Sequence, residues 1–143
     1  MNVKTILAAK GGDIISIEPT ADLATAAKLL SKHRIGAVVI CGAGGRLAGI
    51  LSERDIVRAL AQNGAAALDL PVGQVMTRNV KTCGETDSIS DLMESMTSGK
   101  FRHLPVLKAE QLIGVISIGD VVKMRVQEVE GDAAAMREYI QTA

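Results

Sequence analysis

The pattern of apolar and polar positions along this chain occurs twice. An apolar stripe with the helical period of about 3.6 residues follows Asp22, and an equivalent stripe follows Ser88, 66 positions later. Both stripes predict a helix that the preceding polar residue can cap. The apolar members coincide one for one, as Leu23, Ala26, Ala27 and Leu30, and then Ile89, Leu92, Met93 and Met96.

Short apolar runs around these helices predict strands. In the first copy they are Ile14–Ile17, Ala37–Cys41 and, after a glycine-rich turn, Leu47–Leu51. His103–Leu107 keeps the offset of 66, which then falls to 65, so one residue is lost in the second hairpin turn. The sequence therefore predicts an α+β fold of two β-α-β-β-α repeats around a pseudo-twofold axis, since one repeat alone would leave an apolar face uncovered.

Two further helices extend this plan. Asn2 to Ala9 predicts an extra N-terminal helix that stops at Gly11, and Gln62 to Met76 predicts a helix end with a short connecting helix. We therefore expect residues 1–76 to hold the first repeat and residues 77–143 the second, as one compact pair.

Beyond Asp120, apolar residues alternate four and three positions apart, which is a heptad seam. A helix that only covered its own sheet would not need to extend so far, so the seam predicts a homodimer. Gly131 weakens such a helix by about 1 kcal/mol, and Asp132 is able to start a second helix there. The seam positions are Val122, Val126, Val129, Ala133, Met136 and Ile140.

Composition excludes several classes of function. Sixteen basic and sixteen acidic residues cancel, and Phe101 and Tyr139 are the only aromatic residues, so nucleic-acid binding is not expected. Cys41 and Cys83 lack metal-ligand spacing and fit small buried positions, so no metal is predicted. Without a signal peptide or a long apolar run, we expect a cytoplasmic protein with no membrane contact.

A seven-residue stretch also occurs twice, at Gly49–Asp55 and Gly114–Asp120. Each copy is an apolar strand that continues directly into a helix, with a serine at the N-cap and an aspartate at the third helical position. These residues are Ser52 and Asp55 in the first copy, and Ser117 and Asp120 in the second.

Two interpretations fit this spacing. In a capping box, the serine and the acid satisfy free amides at the helix start and do nothing further. In a binding site, the helix end faces a ligand, and the ionised aspartate, which only accepts hydrogen bonds, suits a sugar diol. Catalysis is not expected, because the sequence has no nucleophile with an adjacent base and no phosphate-binding glycine pattern.

The paired motifs resemble those of the cystathionine-β-synthase (CBS) domain family. Gly-Ile-Leu-Ser-x-x-Asp ends the first copy and Gly-Val-Ile-Ser-x-x-Asp the second, and Phe101–Val106 is similar to a second-strand signature of the family. The resemblance runs from about Ile14 to Arg125. The chain is thus similar to a stand-alone, bacterial-type tandem CBS pair.

This resemblance implies a regulatory Bateman module that binds AMP, ADP, ATP, S-adenosylmethionine or NAD(H) in clefts between the copies, and that acts on an unknown effector protein. In each cleft the acid of one copy would face the first two strands of the other. One implied site is Ser16, Ile17, Gly36, Ala37, Val38, Ile116, Ser117 and Asp120. The other is Ser52, Asp55, Thr82, Cys83, Arg102, His103, Leu104 and Pro105.

The two implied sites are not equivalent. Arg102–Pro105 in the second copy stands where the first has the uncharged Gly36–Val39, and Gly119 stands where the first has Arg54. The alternative to ligand sensing is a structural dimerisation module without a ligand. Residues that would neutralise phosphate, if a nucleotide binds, are Arg34, Arg54, Lys100, Arg102 and His103.

Overall fold

The computed structural model describes residues 1–11 and 13–142. The chain forms two compact units, of which one is Asp13–Lys81 and the other joins Met1–Gly12 to Thr82–Ala143. Each unit contains one copy of the repeat, built from helices and strands. The predicted α+β class and the duplicated order of elements are confirmed.

The elements follow the predicted order closely. The unit Asp13–Lys81 contains β1 (Ser16–Ile17), α2 (Leu23–His33), β2 (Ala37–Cys41), β3 (Leu47–Ser52), α3 (Glu53–Asn63) and α4 (Val72–Val75), with 3-10 turns at Ala43–Gly45 and Gly64–Asp69. The other unit contains α1 (Val3–Lys10), α5 (Ile89–Gly99), β4 (His103–Lys108), β5 (Gln111–Ser117) and α6 (Ile118–Thr142).

The strands of the two sheets pair in equivalent registers. In the first unit β1 pairs parallel to β2, and β2 pairs antiparallel to β3. In the second, β4 pairs antiparallel to β5, and a single parallel bridge from Cys83 to Val106 takes the place of the β1–β2 pairing. Each hairpin has a register shift at the equivalent point, after Ile40 and after Val106. The duplication therefore extends to the details of the backbone.

Each unit has its own hydrophobic core beneath its hairpin. Leu23, Ile40 and Leu51 are fully buried in the first unit. In the second unit Ile89, Val106 and Ile116 occupy the equivalent positions and are also fully buried. Asp22 and Ser88 cap α2 and α5 as predicted, by accepting from the amides of Thr25 and Asp91.

Helix α1 packs with the second repeat. Val3 is buried and donates from its amide to Asp87 O, while Leu7 lies against Gly114. The division predicted after residue 76 grouped this helix with the first repeat. The structure differs because the partners of α1 belong to the second unit.

The segment at α4 packs against the first unit in the same way as α1 packs against the second. Val72 donates from its amide to Ala21 O, and Met76 lies against Gly49. Val72 follows Val3 by 69 positions, and Met76 follows Leu7 by the same number. The N-terminal helix is therefore not an extra element but one copy of a duplicated segment.

Helix α6 continues through Gly131 as one helix, without a second start at Asp132. The cost of one glycine, about 1 kcal/mol, does not interrupt it. Val121 and Met124 face the core, whereas Val122, Val126 and Met136 of the heptad seam are exposed. Among the helices in the described part of the chain, none combines the length and apolar character needed to cross a bilayer.

Candidate functional site

The first strand-to-helix junction forms a capping box. Ser52 ends β3, and its amide and hydroxyl both donate to Asp55 Oδ2, at 2.9 and 3.1 Å. The Asp55 amide donates in return to Ser52 Oγ at 3.3 Å. Asp55 is only 8% exposed. The motif therefore forms a capping box at this junction, which is the first of the two interpretations.

The second junction forms the same box. The Ser117 amide donates to Asp120 Oδ2 at 2.9 Å, and the Asp120 amide donates to Ser117 Oγ at 3.2 Å. The Asp120 side chain is 27% exposed. Both acids therefore turn back toward the start of their own helix.

Capping leaves part of each carboxylate for other partners. In both units the cap uses Oδ2, while Asp55 Oδ1 lies 3.5 Å from Arg58 Nη1, a long contact with an exposed side chain. A carboxylate has about four lone-pair positions on its two oxygens. A cap made through one oxygen is therefore compatible with a ligand hydroxyl bonded to the other.

Lys10 adds a cation to the second junction. Its Nζ donates to Asp120 Oδ2 and to Val115 O, both at 2.8 Å. Burial alone would raise the pKa of Asp120, but the bonds from Lys10 and Ser117 outweigh it and hold that pKa below its ordinary value. Helix α1 thus delivers a positive charge to the acid of the second repeat.

Lys10 is not among the site residues predicted from the sequence. Val115 is opposite Pro105 in the hairpin, and its carbonyl accepts from Lys10. In the first unit the equivalent Ile50 instead exchanges two main-chain bonds with Thr77, at 3.0 and 2.9 Å. The shared spacing Val-x-x-Ile-Leu at residues 3–7 and Val-x-x-Val-Met at residues 72–76 shows that the segment before Lys10 is duplicated, but it does not link Lys10 to Asp120.

Of the site residues predicted in the first repeat, Gly36 and Ala37 lie at its own junction, whereas Ser16 and Ile17 pair further along β2, with Val39 and Ile40. Ser16 is exposed at the start of β1, and Ile17 is partly buried. Gly36 O accepts from the amide of Glu53 at 2.9 Å, so the chain before β2 lies directly beside the start of α3. Ala37 follows as the register partner of Ser52.

The second repeat places its residues in the same way. Arg102 O accepts from the Ile118 amide at 2.8 Å, and His103 is the register partner of Ser117. Pro105 O accepts from the Cys83 amide, and Thr82 is exposed just before that bridge. Each copy therefore brings its own strands to its own acid, while the implied pairing of residues from different copies stays a prediction.

Three of the predicted residues offer a ligand only their main chain. The side chains of Val38, Leu104 and Ile116 are 2%, 2% and 0% exposed, because they point into the cores. In a binding site these residues would contribute amide and carbonyl groups.

The basic candidates lie at or near helix ends. Arg34 and Lys100 are left-handed C-cap residues of α2 and α5, and both are exposed. Arg34 shares an open groove with Gly36 and Glu53. Arg54 is exposed on the first turn of α3. These cations are therefore accessible to an anionic ligand.

The cysteines are thiols in apolar surroundings. Burial raises the pKa of the Cys83 thiol to about 12, with a smaller contribution from Asp87, and burial also raises the pKa of Cys41. Both thiols are therefore poor nucleophiles at neutral pH. Within residues 1–11 and 13–142, no three His, Cys, Asp or Glu side chains are grouped in a way that would hold a metal ion.

Two curated relatives align with most of this chain. An uncharacterized 17.7 kDa protein of Acidianus ambivalens is 35% identical over 75% of this chain. The mitochondrial CBS domain-containing protein CBSX3 of Arabidopsis thaliana is 37% identical over 81% of this chain. The chain spans 64% and 58% of the lengths of these two relatives.

Solved structures share the fold. A CBS-domain containing protein from Agrobacterium tumefaciens is 47% identical with a TM-score of 0.84, covering 87% of this chain and 92% of its own. A CBS domain protein from Pyrobaculum aerophilum, complexed with AMP, is 29% identical with a TM-score of 0.74, covering 84% and 89%. The CBS domain pair of protein MJ0100, in complex with 5-methylthioadenosine and S-adenosyl-L-methionine, is 28% identical with a TM-score of 0.79, covering 90% and 98%.

The CBS domain family matches this sequence twice, at residues 4–62 and 72–126. The two matches begin near the start of α1 and at α4, which agrees with the duplication of those segments in the structure. This chain therefore belongs to the CBS domain family and contains two CBS repeats.

Proposed function

We propose that this chain is a regulatory module that binds adenosine nucleotides of the AMP, ADP or ATP type. Asp55 and Asp120 would accept hydrogen bonds from the ribose hydroxyls through the oxygen that the cap does not use. The observation that carries the proposal is the duplicated acid at a strand-to-helix junction, held in one orientation by the same box in both repeats. A carboxylate fixed in this way pays little conformational entropy when a ligand binds.

The relatives narrow the ligand class. One similar CBS protein was solved with AMP, and another with 5-methylthioadenosine and S-adenosyl-L-methionine. The adenosine group is common to all of these molecules, so it is the part that the duplicated acids would recognise. S-adenosylmethionine is the second candidate, because one of these similar proteins was solved with it. NAD(H) contains the same adenosine group.

The rest of the site would come from main-chain groups and cations. Gly36 and Arg102 precede the first strand of each hairpin, beside the start of the helix that follows the hairpin. Adenine would lie among aliphatic residues, since the chain has only one phenylalanine and one tyrosine. Arg34 and Arg54 are exposed in the first unit and would meet phosphate.

Regulation through binding, rather than catalysis, fits the chemistry of the junctions. Each holds an acceptor in a fixed position, and the Ser52 hydroxyl, which donates to Asp55 Oδ2, is itself part of the helix cap. Turnover of a nucleotide by the purified protein, lost in Asp120→Asn, would overturn this part of the proposal.

The partner of α6 would be a second copy of the chain. Val126, Val129 and Met136 are 48%, 50% and 60% exposed, although they continue one heptad seam. Pairing this seam with its copy would bury these side chains in a homodimer. Sedimentation as a dimer at micromolar concentration is expected, and sedimentation as a monomer would contradict it.

The ligand can be identified directly. Nucleotide released from the freshly purified protein should be recognised by mass spectrometry as an adenosine compound. In a thermal-unfolding panel, a ligand at 100 times its Kd should add about 2.7 kcal/mol to the free energy of unfolding. Absence of any shift with millimolar AMP, ATP, S-adenosylmethionine and NAD would favour the structural dimerisation module instead.

A further inference from the structure

The acid of the second repeat differs from that of the first in the source of its cation. Asp120 receives Lys10 from α1, at 2.8 Å and 110 positions away in sequence. Asp55 receives Arg58 from its own helix, at 3.5 Å. The position equivalent to Lys10 in the first repeat, 69 residues later, is Asn79, which has no charge.

Lys10 is held in place before any ligand arrives. Val3 and Ile6 anchor α1 in the core of its unit, with 0% and 2% exposure. Its Nζ is fixed by Asp120 Oδ2 on one side and by Val115 O on the other. A lysine side chain normally loses much rotamer freedom when it binds an anion. Here most of that side-chain entropy is already lost when the chain folds, so binding loses less.

The pair changes the charge that a ligand meets at this junction. A lone Asp120 carboxylate would repel a phosphate group, whereas the pair with Lys10 is neutral overall. An ammonium has three donors, of which two are used, so one N–H is left for a ligand. Lys10 is also 41% exposed as a side chain, so the ammonium is accessible.

We propose that Lys10 is a specificity-determining residue that makes the Asp120 site prefer adenosine ligands with a 5′-phosphate. Asp120 holds the ribose of every adenosine ligand, and Lys10 adds attraction only for the phosphorylated ones. S-adenosylmethionine, whose sulfonium and ammonium groups give it a net positive charge, is disfavoured at this site. The inference rests on the proposed function and adds the ligand class of one site.

The test compares AMP with adenosine by titration calorimetry. It uses Asp55→Asn protein, so that the Asp120 site dominates, because asparagine keeps one oxygen for the cap. Lys10→Met should weaken AMP binding about tenfold, the effect of one charge-assisted hydrogen bond, and leave adenosine affinity within about twofold. Lys10→Arg, which keeps the charge, should retain most of the AMP preference.

Asn79→Met is the matched control, since it makes the equivalent change in the first repeat and should alter neither affinity at the Asp120 site. Equal losses of AMP and adenosine affinity in Lys10→Met would overturn the inference, because Lys10 would then act only by orienting Asp120. Unchanged AMP affinity would overturn it as well.

The experiment also separates this inference from the proposed function. If the Asp55→Asn protein and the unaltered chain bind neither AMP nor adenosine, the proposed function fails and the inference fails with it. If both ligands bind with equal affinity, only the inference fails. If Lys10→Met does not fold, the inference is tested by the salt dependence of binding to the Asp55→Asn protein. The preference of this protein for AMP over adenosine should decrease between about 0.05 and about 0.5 M salt. A preference that stays constant overturns the inference.

Discussion

The two strand-to-helix junctions have the same backbone and different electrostatics. Asp55 and Asp120 both accept the capping hydrogen bond through Oδ2. The Asp55 side chain is 10% exposed and makes only a long contact with Arg58. The Asp120 side chain is 27% exposed and is bonded to Lys10. Duplication preserved the hydrogen bonds that start each helix. The charge around the acid was free to differ, because it is supplied by residues outside the box.

The segments that pack beside each hairpin are the source of this difference. In the first unit Thr77 pairs with the edge residue Ile50 through the main chain, and in the second unit the Lys10 side chain bonds to Val115. Main-chain pairing carries no charge, whereas a lysine carries one. Under the proposed function, the two junctions would therefore prefer different ligands without any change in the acids themselves.

The largest effect is expected from the anchors of these segments. Ile6 is 2% exposed, so Ile6→Ala should lower the free energy of unfolding by about 3 kcal/mol through the cavity it leaves. The equivalent Val75 is only partly buried, and Val75→Ala should cost about 1 kcal/mol. Urea denaturation measures both. A larger cost at Val75 would contradict the view that α1 is an integral part of its unit.

The next largest loss of stability is expected at the glycines that these segments pack against. A Cβ at Gly49 would lie 2.7 Å from the main-chain oxygen of Thr77, which cannot move easily, so Gly49→Ala should cost about 2 to 3 kcal/mol. At Gly114 the nearest atom, at 2.6 Å, is the end of the flexible Leu7 side chain, and Gly114→Ala should cost about 1 kcal/mol. Denaturant midpoints that place Gly114→Ala below Gly49→Ala would reverse the comparison.

The smallest effect on stability is expected at Lys10 itself. Because this ion pair is partly exposed, Lys10→Met should cost less than about 1 kcal/mol. Its clearer consequence is on Asp120, whose pKa should rise, since burial then acts without the ammonium. Carbon-13 titration of the Asp120 carboxyl measures this change, and an unchanged pKa would show that the pair is not formed in solution.

The direction of the pH effect follows from the lowered pKa. In the unaltered protein Asp120 stabilises the fold above its unfolded pKa, near 3.8, and this contribution is lost as the pH falls through the lower folded value. In Lys10→Met the loss should begin at a higher pH. The acid-unfolding midpoint of the variant should therefore lie above that of the unaltered chain.

Local signals in the sequence predicted most of the fold. Asp22 and Ser88 before apolar stripes, and Gly42–Gly45 between two apolar runs, identified helix starts and a hairpin, because caps and turns depend on neighbouring residues. The capping boxes at Asp55 and Asp120 were predicted in the same way, as one of two interpretations. These features need no knowledge of distant contacts.

The missed features depend on distant contacts. Lys10 and Asp120 are 110 positions apart, and neither residue type nor spacing links them. The segment that carries Lys10 follows an offset of 69 rather than 66, and its shared apolar pattern has only three positions. A comparison that allowed a separate offset for this segment would have identified α1 as a copy of the segment at α4, whereas the repeat that α1 packs against follows only from contacts in the fold.

The central claim is that the duplicated acids hold the ribose of an adenosine ligand. Calorimetric titration of AMP into the unaltered chain, Asp55→Asn, Asp120→Asn and the double variant tests it most directly, because asparagine keeps the cap and removes the acceptor. Each single variant should weaken one site by about 10-fold to 100-fold, as expected for a lost bond of about 1.5 to 3 kcal/mol, and the double variant should weaken both. Unchanged AMP affinity in both single variants would contradict the account.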